Sequence, residues 1–156
     1  MGVLSGSALK APGTVHIEAD ASSASYPLAA AAIAGGSVKV VGVGQPALQG
    51  DAGFVEVLEQ MGCSTQTSAT SLEVSSSGAL HGIEINMADM SDLVPTLAAV
   101  AIFADSPTRI SGVGFIRHKE SDRIGDLVKG LKQIGCDAIE EDDGLLIRPV
   151  PVEQLH

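Results

Sequence analysis

The sequence predicts an α/β (α+β) fold made of two tandem β-α-β-α-β-β units, and three observations predict it. The chain repeats itself: Leu28-Ala-Ala-Ala-Ala-Ile33 returns as Leu97-Ala-Ala-Val-Ala-Ile102, about 69 residues later, and Leu58-Glu-Gln-Met-Gly-Cys63 returns as Leu131-Lys-Gln-Ile-Gly-Cys136. Apolar periodicity alternates between the strand value and the helix value along each copy. Finally, 45% of residues are hydrophobic but only 3% aromatic. The core must therefore be built from Ala, Val, Leu and Ile, packed closely with help from 18 glycines, as in helix layers laid on a sheet.

The first unit spans residues 12–80. Residues 14–18 alternate like a strand, residues 22–34 form an Ala-rich helix closed by Gly35-Gly36, and residues 37–43 alternate again. Phe54, Val55, Leu58 and Met61 fall at helical spacing before Gly62, and short strands over 64–67 and 71–74 read as a hairpin. The second unit, 81–149, repeats the order: strand 83–87, helix 92–104, strand 108–113, helix 123–134, and strands 138–140 and 145–148 around Asp142-Asp143-Gly144. Residues 150–156 form a tail, and two prolines among 149–151 give it the character of a linker.

The formal net charge of −10 repels nucleic-acid backbones and anionic lipid surfaces, so neither is expected as a partner. A few well-placed Lys and Arg can still gather small anions inside a cleft. The longest apolar stretch, Pro27 to Ala34, is well short of the roughly 20 residues that span a bilayer. No basic leader precedes a signal-type apolar core, so a cytoplasmic location is expected. Cys63 and Cys136 each follow a glycine at a helix end, which suits small packing residues better than a disulfide. No metal-ligand spacing, G-x-G-x-x-G or P-loop lysine occurs, so neither a metal nor a cofactor is expected.

Three polar clusters stand at helix entrances. Arg117-His-Lys-Glu-Ser-Asp-Arg123 follows a Gly-rich strand end and opens a helix, where free N–H groups suit anions and Lys119, Arg117 and Arg123 add cationic donors. Glu120 is a proton carrier there if burial tunes its pKa. Ser121 or Asp122 could equally cap the helix. The matching turn of the first unit, Gln49-Gly-Asp51, carries no basic residue. Asp20-Ala-Ser-Ser-Ala-Ser-Tyr26 opens the first unit's apolar helix, its hydroxyls able to cap that helix or to hold phosphate. Asp89-Met-Ser-Asp92 aligns with Asp20 to Ser23, so that Asp92 takes the place of Ser23, as an N-cap or as a base within reach of a substrate hydroxyl.

Together these stretches, with Leu28 to Ile33 and above all the Lys119-Glu-Ser-Asp-Arg123 block, resemble the 5-enolpyruvylshikimate-3-phosphate synthase family over about residues 12–149. The resemblance implies the enolpyruvyl transferase fold, an inverse α/β prosthesis of six such units in two domains, of which this chain would be a central piece straddling the hinge. It implies transfer of enolpyruvyl from phosphoenolpyruvate to the 5-hydroxyl of shikimate 3-phosphate, without metal or cofactor. Asp92 then matches the base near that hydroxyl, Lys119 a lysine contacting shikimate 3-phosphate, and Glu120 the proton donor to the phosphoenolpyruvate methylene. Arg123 matches an arginine holding the phosphate or carboxylate of phosphoenolpyruvate, and Ser23 and Tyr26 match substrate contacts of the first domain. Phe115 stands where some members carry an Asn that touches shikimate 3-phosphate. The family's early Lys and Ser, its phosphate-binding arginine, its Ser-Ser-Gln loop and its distal Arg and Lys have no counterpart here, so the chain alone is expected to be inactive. Alternatives are a fragment resembling UDP-N-acetylglucosamine enolpyruvyl transferase, or a non-catalytic binding and assembly module that self-associates through exposed apolar faces.

Overall fold

The structure, a computed structural model, describes residues 10–156. The first nine residues, part of the stretch read above for a leader, lie outside it. Helix α1 (Ala21–Ala34) begins where Asp20 turns its carboxylate onto the free N–H groups of Ser22 and Ser23, at 3.0 and 3.2 Å. It ends as the Gly35 N–H closes on the Ala31 carbonyl. Strand β1 (Gly36–Val41) follows, then helix α2 (Phe54–Gln60), and the hairpin of β2 (Ser64–Thr67) and β3 (Ser71–Ser76). The second half runs β4 (Glu84–Asn86), a 3-10 turn over Ala88–Leu93, α3 (Val94–Ala101), β5 (Thr108–Ser111), α4 (Arg123–Gln133), β6 (Asp137–Glu141) and β7 (Gly144–Arg148).

The two sheets share one plan. The first has the order β1-β3-β2 and is antiparallel throughout. The second has the order β4-β5-β7-β6, with β5, β7 and β6 repeating the antiparallel trio and β4 added in parallel alongside β5. The strand expected over residues 14–18 is the counterpart of β4, but those residues are exposed and unpaired. Val15 and Ile17 face solvent, at 62% and 89% exposure, so the alternation that predicts a strand finds no apolar face to meet. Among the described residues no strand pairs with the free edge of β1, whereas β4 covers that edge of β5.

The helix expected over 92–104 is shorter, since Leu93 rather than Asp92 occupies the position before α3 and Asp92 belongs to the preceding 3-10 turn. The tail is not a free linker either. The His156 N–H donates to the Ile134 carbonyl at 3.1 Å, and half-buried Leu155 packs against the core.

One core serves both halves. Leu28 of α1, Leu58 of α2, Leu72 and Val74 of β3, Leu97 and Ala101 of α3, Ile110 of β5, Ile124 and Leu131 of α4, and Leu145 and Ile147 of β7 are all buried in a single contiguous cluster. Each Leu, Ile or Val among them contributes about 1.5–3 kcal/mol on leaving water. Cys63 and Cys136 are free thiols within it. Helices α1 and α3 lie side by side, as do the short segments Gly50–Gly53 and Ala88–Leu93 that precede α2 and α3. No described helix is long and apolar enough to cross a membrane.

Candidate active site

The chain leaving β5 must turn sharply to reach α4, and two glycines make this possible. Gly112 has φ of +76°, and a side chain there would overlap the Asn86 amide. A side chain on Gly144 would come within 1.8 Å of the Ile110 carbonyl oxygen, so its absence lets the β6–β7 turn press onto the end of β5. Past this turn the backbone runs through a 3-10 segment (Gly114–His118) and enters α4, whose N-terminus Asp122 caps through the N–H groups of Ile124 and Gly125.

This path sets Lys119, Glu120 and Arg123 opposite Asp92. Asp92 Oδ1 accepts hydrogen bonds from Lys119 Nζ and from Arg123 Nη1, each at 2.7 Å. The Arg123 fork also grips Glu120 Oε1, with Nε at 2.9 Å and Nη2 at 2.5 Å. Two cations and two carboxylates thus form one closed network, the cations about a quarter exposed and the carboxylates more than half exposed. Lys119 Nζ also lies 3.4 Å from Ser91 Oγ and 5.9 Å from the centre of the Phe115 ring, a cation–π distance.

The hydrogen bond from Lys119, reinforced by Arg123, holds the Asp92 carboxyl below the usual aspartate range. The Glu120 carboxyl is lowered by its own backbone N–H and by Arg123. Both are ionised at neutral pH, so Glu120 is exposed and charged in the free chain rather than buried and tuned toward proton donation.

Tyr26 and Asp92 line one groove between α1 and α3, floored by Ala29, Ala30, Ile33 and Ala99. Ser23 lies one turn before Tyr26 on the same helix, but its hydroxyl donates to Asp20 Oδ2 at 2.5 Å and touches none of the ionic network. Pro27 offers no N–H to the Ser23 carbonyl, which leaves that oxygen without its intrahelical donor.

Two other stretches read from the sequence make their contacts within the fold. Gln49 clamps the start of α1, its amide oxygen accepting from the Ala21 N–H at 3.0 Å and its amide nitrogen donating to the Ala19 carbonyl at 2.7 Å. The Asp51 carboxylate accepts from the Ser22 hydroxyl. Arg117, expected among the ligand-binding cations, is instead committed to Asp122, Glu140 and the carbonyls of Glu141 and Asp142. Ser91, given no role of its own in the Asp89-Met-Ser-Asp92 stretch, joins the site because the 3-10 turn brings it beside Lys119, which no periodicity announces. Among the described residues no group of His, Cys, Asp and Glu is arranged to hold a metal ion.

Comparison with known proteins identifies the family. The family model described as EPSP synthase (3-phosphoshikimate 1-carboxyvinyltransferase) matches residues 3–156. A 3-phosphoshikimate 1-carboxyvinyltransferase of Nostoc punctiforme is 48% identical over 136 residues, covering 87% of this chain and 32% of that protein. One from Janthinobacterium sp. (strain Marseille) is 44% identical over 144 residues, covering 92% of this chain and 32% of that one. The solved EPSP synthase of Acinetobacter baumannii superposes with a TM-score of 0.68 at 28% identity, over 83% of this chain and 31% of that one. The chain spans about a third of the length of the relatives it matches. With nearly its whole length inside the family's pattern, and with a fold that matches a solved member, the chain belongs to the EPSP synthase family.

Proposed function

We propose that this chain supplies part of the active site for transfer of the enolpyruvyl group from phosphoenolpyruvate to the 5-hydroxyl of shikimate 3-phosphate, a step of the shikimate pathway to aromatic amino acids. The observation that carries this reading is the shared use of Asp92 by Lys119 and Arg123, with Arg123 also gripping Glu120. In it, two carboxylates hold two cations ready for a pair of anionic reactants.

An arriving anion competes with these carboxylates for the cations. When the phosphate or carboxylate of phosphoenolpyruvate takes the Arg123 fork, Glu120 loses a partner that depresses its pKa, and its carboxyl becomes able to hold the proton that the methylene carbon accepts. When Lys119 turns to shikimate 3-phosphate, Asp92 is freed to receive the proton of the 5-hydroxyl. Tyr26, on the wall of the groove shared with Asp92, and Ser23, one turn away, are the substrate contacts from α1. Residues 12–80 and 81–149 act as the two units whose facing entrances make this half-site. The segments that complete it lie outside this sequence, so the chain alone does not turn over, because orientation of both reactants is incomplete. The location we infer is the cytoplasm. The open β1 edge and the exposed Val41 and Leu48 make self-association the expected behaviour at high concentration.

Titration of shikimate 3-phosphate into the isotopically labelled chain tests the reading. Saturable NMR shifts at Ser23, Asp92 and Lys119 are expected, and unchanged spectra at millimolar ligand would sink it.

A further inference from the structure

Arg117 is the most heavily engaged cation among the described residues, yet none of its partners is a site residue. Its Nη1 lies 2.6 Å from Glu140 Oε1 and 3.0 Å from Asp122 Oδ2, its Nη2 lies 2.7 Å from the Glu141 carbonyl, and its Nε lies 3.4 Å from the Asp142 carbonyl. The guanidinium thus spans from the β6–β7 hairpin to the cap of α4, and only 18% of its side chain meets solvent. One residue further along the hairpin, Asp143 binds the other end of the same loop. Its Oδ2 accepts from the Gly112 N–H at 2.9 Å, its Oδ1 from the Gly114 N–H at 3.0 Å, and its carbonyl from the Val113 N–H at 3.1 Å.

Between these two anchors lies a loop with few backbone hydrogen bonds of its own, and it ends in Lys119 and Glu120, with Arg123 one step inside α4. Long side chains carried on such a loop lose substantial rotamer and backbone freedom when they converge on a single carboxylate. The geometry points to Arg117 and Asp143 as positioning residues: they fasten the 112–122 loop to the β6–β7 turn so that Lys119, Glu120 and Arg123 stand pre-set around Asp92 before any ligand arrives. This inference rests on the reading of the site given under Proposed function, but the placement it describes can be measured without a substrate. The fork geometry matters, because lysine is a point donor and cannot span two carboxylates and two carbonyls at once.

The test uses the whole 156-residue chain with Arg117→Ala, Arg117→Lys and Asp143→Asn, each shown by circular dichroism to be folded. Carbon-13 NMR of the side-chain carboxyls follows the titration midpoints of Asp92 and Glu120, with Asp105, which pairs with His81 away from the loop, as an internal reference. Arg117→Ala is expected to move the Asp92 and Glu120 midpoints up toward the usual carboxylate range while Asp105 stays put. Arg117→Lys should give a partial return. Phosphoenolpyruvate affinity should weaken about tenfold in Arg117→Ala, equivalent to about 1.4 kcal/mol.

Folded variants whose Asp92 and Glu120 midpoints equal those of the parent chain would overturn the inference, since the cations would then find Asp92 without the anchors. Collapse of all three variants would also overturn it, because the anchors would then hold the fold as a whole rather than aim the loop. A parent chain that fails to bind phosphoenolpyruvate would count against the proposed function, and the carboxyl midpoints would still decide the role of Arg117.

Discussion

Lys119 Nζ and Asp92 Oδ1 stand 2.7 Å apart, although 27 residues separate them in sequence. Arg123 meets the same oxygen at the same distance. Asp92→Asn removes the charge that neutralises both cations. We expect phosphoenolpyruvate to bind the variant severalfold more tightly in NMR titrations, because the competing carboxylate is gone. Stability should change by less than about 1 kcal/mol, the range for pairs this exposed. A loss of affinity would mean instead that Asp92 is needed to aim the two cations.

Acid should loosen the fold. The carboxyls of Asp20, Asp92, Glu120 and Asp122 all lie below their ordinary range, held there chiefly by the Ser23 hydroxyl, by Lys119, by the Glu120 backbone N–H and by the Gly125 N–H, respectively. A carboxyl that is more acidic in the folded chain stabilises it fully above the unfolded range, about pH 4, and the benefit disappears as pH falls through the folded values. Melting temperatures followed by circular dichroism should therefore be flat from neutrality to about pH 5 and fall below it. The fall should be shallower in Asp92→Asn.

Asp20→Ala takes the cap from α1 and releases the Ser23 hydroxyl. Urea denaturation should register a lower midpoint, as removal of an N-cap does. An unchanged midpoint would indicate that Gln49, through the Ala21 N–H, carries the helix start by itself.

Gly144→Ala tests the closeness of the hairpin turn to β5. The new Cβ would meet backbone rather than a movable side chain, so a loss of about 3 kcal/mol or more is expected. Wild-type stability would show that the β6–β7 turn can retreat from Ile110 at little cost.

The thiols of Cys63 and Cys136 are buried, and burial pushes both to higher pKa. Labelling by a disulfide reagent at neutral pH should be slow in the folded chain and fast in urea. Rapid labelling of either cysteine without denaturant would mean that its helix end opens readily.

Much of the fold is legible in the sequence because its repeats are local. The Ala-rich runs give α1 and α3, the Leu-x-x-Met/Ile-Gly-Cys endings give the ends of α2 and α4, and Asp142-Asp143-Gly144 gives the second hairpin turn. Residues 14–18 break the pattern because alternation encodes a strand only where its apolar face is buried, and here Val15 and Ile17 stay in solvent although the β1 edge has no other partner among the described residues. The start of α3 was misplaced for a related reason. An aspartate before an apolar run signals a cap, but Asp92 sits in the preceding 3-10 turn and its carboxylate is held by two cations from another loop.

The site divides in the same way. Lys119, Glu120 and Arg123 could be picked out as a cluster because they are adjacent, and their meeting with Asp92 was implied by family resemblance rather than by spacing. The division of labour inside the charged block was not legible. Arg117 and Arg123 look alike as letters, and only the approach of Glu140 and two carbonyls turns Arg117 into an anchor. Ser91 and the ring of Phe115 enter the site through two separate 3-10 segments, Ala88–Leu93 and Gly114–His118, neither of which has a periodic signature.

The order of strands also sets a timetable. The hairpins β2–β3 and β6–β7 close across short turns, whereas β1 must find β3 some 35 residues away and β5 must find β7 at a comparable distance. Loop-closure entropy makes the near pairs form early and the far ones late. The loop bearing Lys119 and Glu120 leaves β5 and is fastened to the β6–β7 turn, so it takes its shape only after the late pairing is made. In kinetic terms the charged groups are assembled last, onto a surface that is already in place.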